Sequence, residues 1–570
     1  MKKLKKNIKL FFVIIILLWS GSCTEHFEEL NKDPNNPVDV PAIHLFTQVI
    51  IRSVANELGR NTRHFQDKTL SQQWSLMCYK GDERYTPLSL TLRLDQYYMT
   101  DLLDLEIIIQ KTSEDITNEN EIERNTSLLA AARIMRVWIF HLLTDIFGDI
   151  PYSEALQGLD ADGITSPNFD TQESIYMDLR KELDEANALL DLSHVANFGE
   201  GDLFFNGDPA LWKKFGNSLK LRILNRCAGT PWSFTYDMVG TGSFTTTAGA
   251  VAYTNADAEI AAILSDPSEH PILSGHDDNV QLSYPGSPYI QPIYATLIYS
   301  THFILSETMA DWLEARNDPR LLVFAQPTPN YVNGISTDPY AGEQNGLPYA
   351  CADEARISLL GLRIGYEESA PLHLLTYDEI EFIKAEHYLR QGDDATARTA
   401  YEAGIAASIA RWGCLNGGTI SPSYIRAGEV FTLPDTQNID YATYLAHPLV
   451  DWDNAANEGE KYQRILEQKW AAGFTQGWQT WHETRRTGFP ARIFEYELEA
   501  THFPDMGMPV RLIINEAETL LNLENFKEAQ TRQNIEETNY GLFSTDGIKS
   551  QMWWHTRKNP IPTEVDPPAK

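Results

Sequence analysis

The sequence predicts an all-α dominated fold, in which a helical-repeat scaffold carries loop-rich insertions and a few short strands. Three observations lead to this prediction. Apolar-periodic segments bounded by helix start and stop residues occupy most of the chain after residue 41. Two adjacent segments at 376–412 have the residues of a packed helix pair. A stretch at about 230–370 is rich in Gly, Pro, Ser, Thr, Asn and Tyr with weak periodicity, and a second irregular stretch covers 417–460.

The N-terminus is the first element to justify. Five lysines lie within residues 2–9, an apolar run follows from Leu10 to Trp19, and the small residues 20–22 precede Cys23. This order is typical of a signal peptide, assigned to residues 1–22. The apolar run is about half of the ~20 residues that a membrane-spanning helix needs.

The position of Cys23 resembles the lipobox of bacterial lipoproteins, which implies that Cys23 is acylated and becomes the new N-terminus. Two or more acyl chains hold a protein stably on a membrane, whereas one chain binds only marginally. Residues 23–41 contain several Asn, Asp and Pro residues and are predicted to be a lipid-anchored tether. The acidic residues directly after Cys23 resemble a signal for export to the cell surface.

The first long helix is predicted at 128–147. Apolar residues cover most of its faces, which is typical of a helix buried inside a larger body. Gly148 and Pro151 are expected to end it.

Two further helices have recognisable start signals. Asp170, with Glu173 three residues later, has the spacing of a capping box and predicts a helix that ends near residue 192. Asp208 followed by Pro209 predicts an N-cap and a first-turn proline, with a helix that ends near residue 227. Within the first loop-rich stretch, one helix is predicted near 303–315.

The segment 376–412 fits a 34-residue tetratricopeptide-like repeat. Small residues at set positions let two antiparallel helices approach closely, and aromatic residues fill the space between them. Ala517 and Ala529 repeat part of this spacing in a degenerate second copy. The residues of the first copy are Ala385, Tyr388, Gly392, Ala397, Tyr401 and Gly404.

Charge and cysteine content exclude several classes of protein. The net charge of −33 argues against nucleic acid binding and against a basic patch on anionic lipid. Beyond Cys23 the cysteines are widely spaced and form no C-x-x-C motif, so no zinc site is expected. An oxidising compartment would permit disulfides, but we interpret all four as buried thiols: Cys78, Cys227, Cys351 and Cys414.

The sequence contains no Gly-x-Ser-x-Gly, phosphate-binding Gly-rich or His-Glu-x-x-His motif, so we predict no catalytic residue and no cofactor. A glycosidase needs two carboxylates on either side of a sugar bond. Glu379, Glu381 and Glu386 lie on a predicted helix, where carboxylates are typically solvated or paired with a basic residue.

Two acidic turns could supply oxygen ligands for calcium. These are Asp160-x-Asp162-Gly163 and Asp451-x-Asp453, and neither has the full twelve-residue calcium loop. We interpret both as turns and predict no metal site.

Aromatic residues outside the helical pattern are the candidate ligand contacts. An aromatic face can stack on the apolar face of a sugar ring, and a Tyr hydroxyl can hydrogen-bond at the same time. Trp74, Tyr79, Tyr289 and Tyr294 are the predicted ligand-binding residues. Core packing is the alternative for each of them. Other aromatic residues of the same kind are Tyr85, Tyr284, Tyr331, Tyr340 and Tyr349.

Several short motifs, taken in order, resemble the SusD-like branch of the SusD/RagB family of outer-membrane lipoproteins. They run from the residues after the tether to near the C-terminus: Asn31-Lys-Asp-Pro-Asn-Asn-Pro37, Thr144-Asp-Ile-Phe-Gly-Asp-Ile-Pro-Tyr-Ser-Glu-Ala155, Asp170-x-x-x-Ser174-Ile-Tyr176, Trp212, Asn217-Ser-Leu-Lys-Leu-Arg222, Asp318-Pro-Arg320, Ala385-Glu386, Gln468-Lys-Trp470, Arg485-Arg-Thr-Gly488 and Met508-Pro-Val-Arg511.

The resemblance implies a binding protein that acts as a lid over a SusC-like TonB-dependent transporter of the outer membrane and captures oligosaccharides. It implies one SusD-like helical domain over 42–570, exposed at the cell surface, in which the repeat helices face the transporter and the loop-rich insertions at about 230–370 and 417–460 hold the ligand. It also implies that Arg222, Arg320 and Arg486 are paired internally. Three alternatives remain at this point: the same architecture binding peptides, a lipid-anchored glycosidase, and a scaffold that binds only protein.

Overall fold

The computed structural model describes residues 40–58, 66–81, 83–84, 91–92, 94–113, 119–158, 163–229, 234–238, 242–246, 252–297, 302–347, 351–426, 428–490, 509–514, 521–533 and 552–554. The signal peptide, Cys23 and most of the tether lie outside these ranges. So do Tyr85, Asp160, Asp162, Tyr349 and Ala517.

Helices dominate the described residues, as predicted. In chain order they are α1 (Ala42–Leu58), α2 (Gln66–Leu70), α3 (Leu94–Tyr97), α4 (Leu103–Ser113), α5 (Glu119–Phe147), α6 (Gln172–Leu189), α7 (Pro209–Cys227), α8 (Ala256–Ser265), α9 (Pro292–Leu297), α10 (Glu307–Glu314), α11 (Leu321–Phe324), α12 (Pro329–Val332), α13 (Leu362–Gly365), α14 (Tyr377–Arg390), α15 (Asp394–Arg411), α16 (Tyr441–Leu445), α17 (Glu458–Ala472), α18 (Gly477–Thr487) and α19 (Leu523–Arg532).

The strands are short and pair two by two. They are β1 (Trp74–Leu76), β2 (Thr91–Leu92), β3 (Ile150–Pro151), β4 (Phe169–Asp170), β5 (Phe234–Met238), β6 (Gly242–Thr246), β7 (Val280–Leu282), β8 (Phe303–Leu305), β9 (Leu372–Leu375), β10 (Thr419–Ile420), β11 (Ser423–Arg426), β12 (Glu429–Thr432), β13 (Gln437–Asn438) and β14 (Ile513–Ile514). The pairs are β1–β8, β2–β14, β3–β4, β5–β6, β7–β9, β10–β13 and β11–β12.

Helix α5 forms the centre of the larger hydrophobic core. Its apolar residues from Leu128 onward are buried against the neighbouring helices α4 and α6. The segment Glu121–Phe147 is long and apolar enough to cross a membrane, but 78% of its most apolar window is buried inside the protein, as in a core helix. Gly148 ends the helix with a φ of 82°, a backbone conformation that glycine adopts without strain.

The caps of α6 and α7 test the predicted start signals. Asp208 caps α7, because its side chain accepts a hydrogen bond from the Ala210 N–H at 2.8 Å. The prediction that Asp170 caps α6 is wrong, since Thr171 is the N-cap residue. Asp170 instead accepts hydrogen bonds from the backbone N–H groups of Tyr152 and Ser153, so its carboxylate holds the chain after β3.

The predicted repeat is an antiparallel helix pair, α14 and α15. Gly404 on α15 faces the Phe382 ring on α14, and a Cβ atom at Gly404 would lie 2.8 Å from that ring. Ala385, Ala397 and Tyr401 are buried in the cluster that the pair forms with α17. The small residues therefore permit the close approach that their spacing predicted.

The first loop-rich stretch is more regular than predicted. Residues 303–305 form β8 rather than the start of a helix, because Phe303 and its neighbours pair with β1. Ser306 then caps α10 by accepting a hydrogen bond from the Met309 N–H. Helix α8 (Ala256–Ser265) was not predicted.

Buried ion pairs join the helices of the scaffold. Arg222 on α7 bonds Glu379 on α14 at 2.7 Å, and Arg486 on α18 bonds Glu386 on α14 at 2.6 Å. The third arginine of the family-like motifs, Arg320, pairs with Asp318 at 2.6 Å. The internal pairing implied by the resemblance is confirmed for all three.

Candidate ligand-binding site

Trp74 does not lie on the surface, so its assignment to a ligand platform is corrected. The residue is fully buried on β1, and its ring packs against Phe303 and Phe474 with centroid distances of 6.2 Å each. Pairing of β1 with β8 encloses the side chain. Trp74 is part of the hydrophobic core.

Tyr79 is the most exposed of the four predicted residues, with 79% of its surface accessible. It lies three residues after β1, with a φ of 57°, and its carbonyl accepts a hydrogen bond from the Gly81 N–H at 2.7 Å. The His302 ring contacts it edge-on, with centroids 5.7 Å apart. This tight turn therefore presents an aromatic face to solvent, with one neighbouring ring to orient it.

A disulfide bond fixes the chain directly before Tyr79. Cys78 and Cys351 are bonded, with Cα atoms 4.4 Å apart, so the prediction of four thiols is wrong for this pair. Met77 adds two backbone hydrogen bonds beside this disulfide: its carbonyl accepts from the Ala352 N–H, and its own N–H donates to the His302 carbonyl. Cys227 and Cys414 are buried thiols, as predicted.

Glu83 holds the chain on the other side of Tyr79. Its buried carboxylate accepts hydrogen bonds from the Leu76 N–H at 2.8 Å, the Asn345 side-chain amide at 2.8 Å and the Gly346 N–H at 3.1 Å. Burial raises the pKa of Glu83 to about 7, against the opposing effect of these donors and of nearby Lys80. Glu83 thus connects the turn to the segment at 345–346.

Lys80 supplies one more brace, since its buried ammonium group pairs with Glu343. The described residues of 77–84 are therefore attached at both ends to the segments 343–347 and 351–352, and we call these described residues the Tyr79 turn. Such attachment lowers the conformational entropy that a ligand would have to remove from the turn on binding.

Tyr289 lies on a separate turn that leads into α9, and Tyr294 lies in the first turn of that helix. Tyr289 is 72% exposed, and its N–H donates to the Gly286 carbonyl at 2.7 Å. The turn rests on the chain near Glu368, whose carbonyl accepts from the Gln291 N–H. Tyr294 is half-buried at the start of α9.

The described contacts do not join these two tyrosines to Tyr79 directly. Helix α9 ends at Leu297, and five residues later the chain reaches His302 beside the Tyr79 ring. Five residues span at most ~18 Å, so the end of α9 lies within that distance of His302. The described contacts thus place Tyr79 and Tyr289 on separate turns and do not join them in one cluster.

Sequence reasoning missed His302, Glu83 and the disulfide. A lone histidine and a lone glutamate show no recognisable spacing, and Cys78 is 273 residues from Cys351. The sequence shows Glu83 four positions after Tyr79 but carries no signal that this residue is buried.

The helical carboxylates are paired with basic residues. Glu379 accepts two hydrogen bonds from Arg222 at 2.7 Å, and Glu381 pairs with Lys384 at 2.7 Å. Glu386 is fully buried; burial raises its pKa, but Arg486 and Lys469 outweigh that effect and lower it. The pairing predicted for carboxylates in a repeat is confirmed.

The carboxylates of the second acidic turn, Asp451 and Asp453, form a local hydrogen bond and an ion pair. Asp451 caps a single 3-10 turn by accepting from the Asp453 N–H at 3.1 Å, and Asp453 pairs with Arg398 at 2.9 Å. Within the described ranges, no group of three His, Cys, Asp or Glu side chains has the geometry to hold a metal ion.

A small cavity lies between α14, α17 and α18. Its volume is about 20 Å³, and Asp378, Glu379, Lys469 and Gln476 are among the residues that line it. This is space for about one water molecule and not for a sugar ring. The exposed aromatic turns remain the candidate ligand contacts.

Three solved structures share this fold over almost the whole chain. A SusD homologue from Bacteroides fragilis has 23% sequence identity and a TM-score of 0.68, over 91% of this chain and 100% of that chain. A chitin-binding protein has 22% identity and a TM-score of 0.69, over 90% and 100%. A chitin-binding SusD homologue from Flavobacterium johnsoniae has 20% identity and a TM-score of 0.64, over 91% and 100%.

Sequence comparison gives the family directly. No curated protein matches the chain. The family model SusD-like, described as starch-binding and associating with the outer membrane, matches residues 34–239 and 247–513, which is most of the chain. The match confirms the resemblance carried by the short motifs. The protein therefore belongs to the SusD-like family.

Proposed function

We propose that this protein is a cell-surface lipoprotein that captures oligosaccharides and passes them to a SusC-like TonB-dependent transporter in the outer membrane. The observation that carries the proposal is the Tyr79 turn, an exposed aromatic face braced on both sides, in a chain of the SusD-like family. A rigid aromatic face suits the apolar face of a sugar ring.

The relatives support a glycan as the ligand class. The family is described as starch-binding, and two of the similar structures are chitin-binding proteins. Both starch and chitin are chains of pyranose rings. A pyranose ring presents an apolar face and hydroxyl groups. The Tyr79 side chain offers a matching apolar face and a hydroxyl group.

Membrane attachment rests on the N-terminal sequence. The basic start, the short apolar run and Cys23 support a lipid anchor, and residues 24–41 would be the leash of a lid over the transporter. The helix pair α14–α15 offers a rigid helical surface of the kind that repeat proteins use for protein partners.

A role without catalysis is supported by the state of the candidate carboxylates. A glycosidase needs one carboxylic acid and one carboxylate on either side of a sugar bond. Glu379 and Glu386 are instead held in ion pairs with Arg222 and Arg486 inside the scaffold. We propose that the ligand leaves the site chemically unaltered.

The test replaces the exposed ring. Tyr79→Ala is expected to weaken oligosaccharide binding by about 1–3 kcal/mol, the scale of a lost hot-spot contact. Tyr79→Phe keeps the ring and should retain most of the affinity. Calorimetric titration with malto- and chito-oligosaccharides measures both variants.

Leu192→Ala is the matched control, because Leu192 is an exposed apolar residue (51% accessible) after α6, at a distance in sequence from both tyrosine turns. Its affinity should equal that of the unmodified protein. Equal affinities for Tyr79→Ala and the control would remove Tyr79 from the site, and binding of peptides alone would favour a peptide receptor.

A further inference from the structure

A stacked aromatic pair, half-buried Tyr424 and exposed Phe431, lies on the hairpin formed by β11 and β12. Tyr424 and Phe431 are directly opposite in the strand register, so both rings project from the same face of the hairpin. Their planes are nearly parallel, with an angle of 20° and centroids 5.5 Å apart. Phe431 is 40% exposed, and each residue of β12 is exposed.

The hairpin is attached to the body by a buried glutamine. The Ile425 N–H donates to the side-chain oxygen of Gln326 at 2.8 Å, and the side-chain nitrogen of Gln326 donates to the Leu360 carbonyl at 2.8 Å. Gln326 is only 2% exposed. The aromatic pair is therefore held on a fixed support and does not depend on a ligand for its position.

The segment 351–360 connects this hairpin to the Tyr79 turn. Its beginning bonds the turn, through the disulfide and the Ala352–Met77 hydrogen bond. Four residues later, the Ala355 carbonyl accepts from the Asn330 N–H at 2.9 Å on α12. Residues 351 and 355 are at most ~14 Å apart, because four residues of chain reach no further.

Helix α12 completes the connection. The Tyr331 hydroxyl donates to Asp435 at 2.8 Å, and Asp435 lies three residues after β12. A series of contacts in space thus joins the Tyr79 turn to segment 351–360, that segment to α12, and α12 to the chain just after the hairpin.

The size and polarity of the hairpin face favour a sugar over a protein partner. Four residues of strand are ~13 Å long and paired strands are ~5 Å apart, so the face is far smaller than the ~800 Å² that each partner buries in a stable protein interface. Arg426 and Glu429 lie beside the aromatic pair on the same face. Two rings flanked by one cation and one anion offer stacking and hydrogen bonds to hydroxyl groups over the width of one or two sugar units.

We propose that Tyr424 and Phe431 form a second sugar-stacking subsite, so that the ligand is an extended oligosaccharide that contacts the Tyr79 turn and the hairpin at the same time. This inference rests on the proposed function, because it takes oligosaccharides as the ligand class. It adds the length of the ligand and two residues, within the loop-rich stretch 417–460, that the sequence did not single out as ligand contacts. Contact at two tethered points raises the affinity for long chains over that for short ones.

The experiment compares chain lengths with the full chain, purified in detergent. Maltose, maltooctaose, chitobiose and chitooctaose are titrated into the unmodified protein and into Phe431→Ala and Tyr424→Ala. For the series that binds, we expect each substitution to weaken octasaccharide binding about tenfold and to leave disaccharide binding unchanged. Tyr79→Ala should weaken both lengths.

Val430→Ala is the matched control. Val430 is 61% exposed on the same strand, and it projects from the opposite face because it neighbours Phe431. The control should bind the octasaccharide as the unmodified protein does. If Phe431→Ala and Tyr424→Ala match Val430→Ala, or if the disaccharide binds as tightly as the octasaccharide, the second subsite is refuted while Tyr79-dependent binding still supports the proposed function. If none of the four sugars binds the unmodified protein, the proposed function and this inference both fail.

Discussion

Replacing Glu83 by glutamine tests how the Tyr79 turn is held. The Glu83 carboxyl is buried and has a pKa of about 7 in the folded protein, against 4.5 for an exposed glutamate. Between pH 4.5 and about 7, Glu83 is protonated in the folded chain and deprotonated in the unfolded chain. Folding stability from this group is therefore present at low pH and is lost as pH rises towards 7.

The size of the effect follows from the shift. One pKa unit corresponds to ~1.36 kcal/mol, so a rise from 4.5 to about 7 corresponds to roughly 3 kcal/mol. Glu83→Gln cannot titrate and lacks this contribution. We expect the free energy of unfolding of the unmodified protein to fall relative to that of the variant by roughly 3 kcal/mol between pH 4.5 and 8.

Urea unfolding at several pH values measures this difference. Glu402→Gln is the control, because Glu402 lies at the surface of α15 beside Arg398 and should follow the unmodified protein within about 0.5 kcal/mol. A difference between the unmodified protein and Glu83→Gln that is constant across the pH range would refute the reasoning. It would show that the three donors keep the carboxylate charged in the folded protein.

Three further changes probe the scaffold. Reduction of the Cys78–Cys351 bond with dithiothreitol should lower stability by about 2–5 kcal/mol in thermal melts, because this bond closes a long loop. Glu386→Ala should cost about 3–5 kcal/mol in urea unfolding, since it removes one of the two buried carboxylates, Glu386 and Glu483, that neutralise Lys469 and Arg486. Gly404→Val should cost about 1–3 kcal/mol, because the added atoms meet the Phe382 ring.

Each of these changes has its own contradicting result. Melting temperatures equal with and without reductant would mean that the disulfide does not stabilise the fold. If Glu386→Ala is no less stable than the surface change Glu402→Ala, Glu483 alone is enough to neutralise Lys469 and Arg486. A stable Gly404→Val would mean that α14 and α15 pack further apart than the structure shows.

Local sequence signals predicted much of the scaffold. The apolar faces of 128–147, the Asp208-Pro209 start and the small residues of 376–412 each act within one helix or one helix pair, so spacing along the chain carries the information. The errors are of two kinds. Asp170 was one residue from the true cap, and 303–305 is a strand because of a partner more than 200 residues away.

The ligand site was harder to predict because exposure depends on distant contacts. Trp74 and Tyr79 are five residues apart and both aromatic, yet one is buried and the other is 79% exposed. The pairing of β1 with β8 buries Trp74, and the disulfide between Cys78 and Cys351 fixes the chain beside Tyr79. Neither contact has a signal in the sequence around these residues.

The central claim is capture of a sugar without hydrolysis, and one measurement tests it most directly. The full chain is titrated calorimetrically with a panel of oligosaccharides and peptides, and the contents of each mixture are then analysed by mass spectrometry. We predict that at least one oligosaccharide binds and is recovered with its original mass. Recovery of cleaved sugar, or binding of peptides alone, would contradict the account.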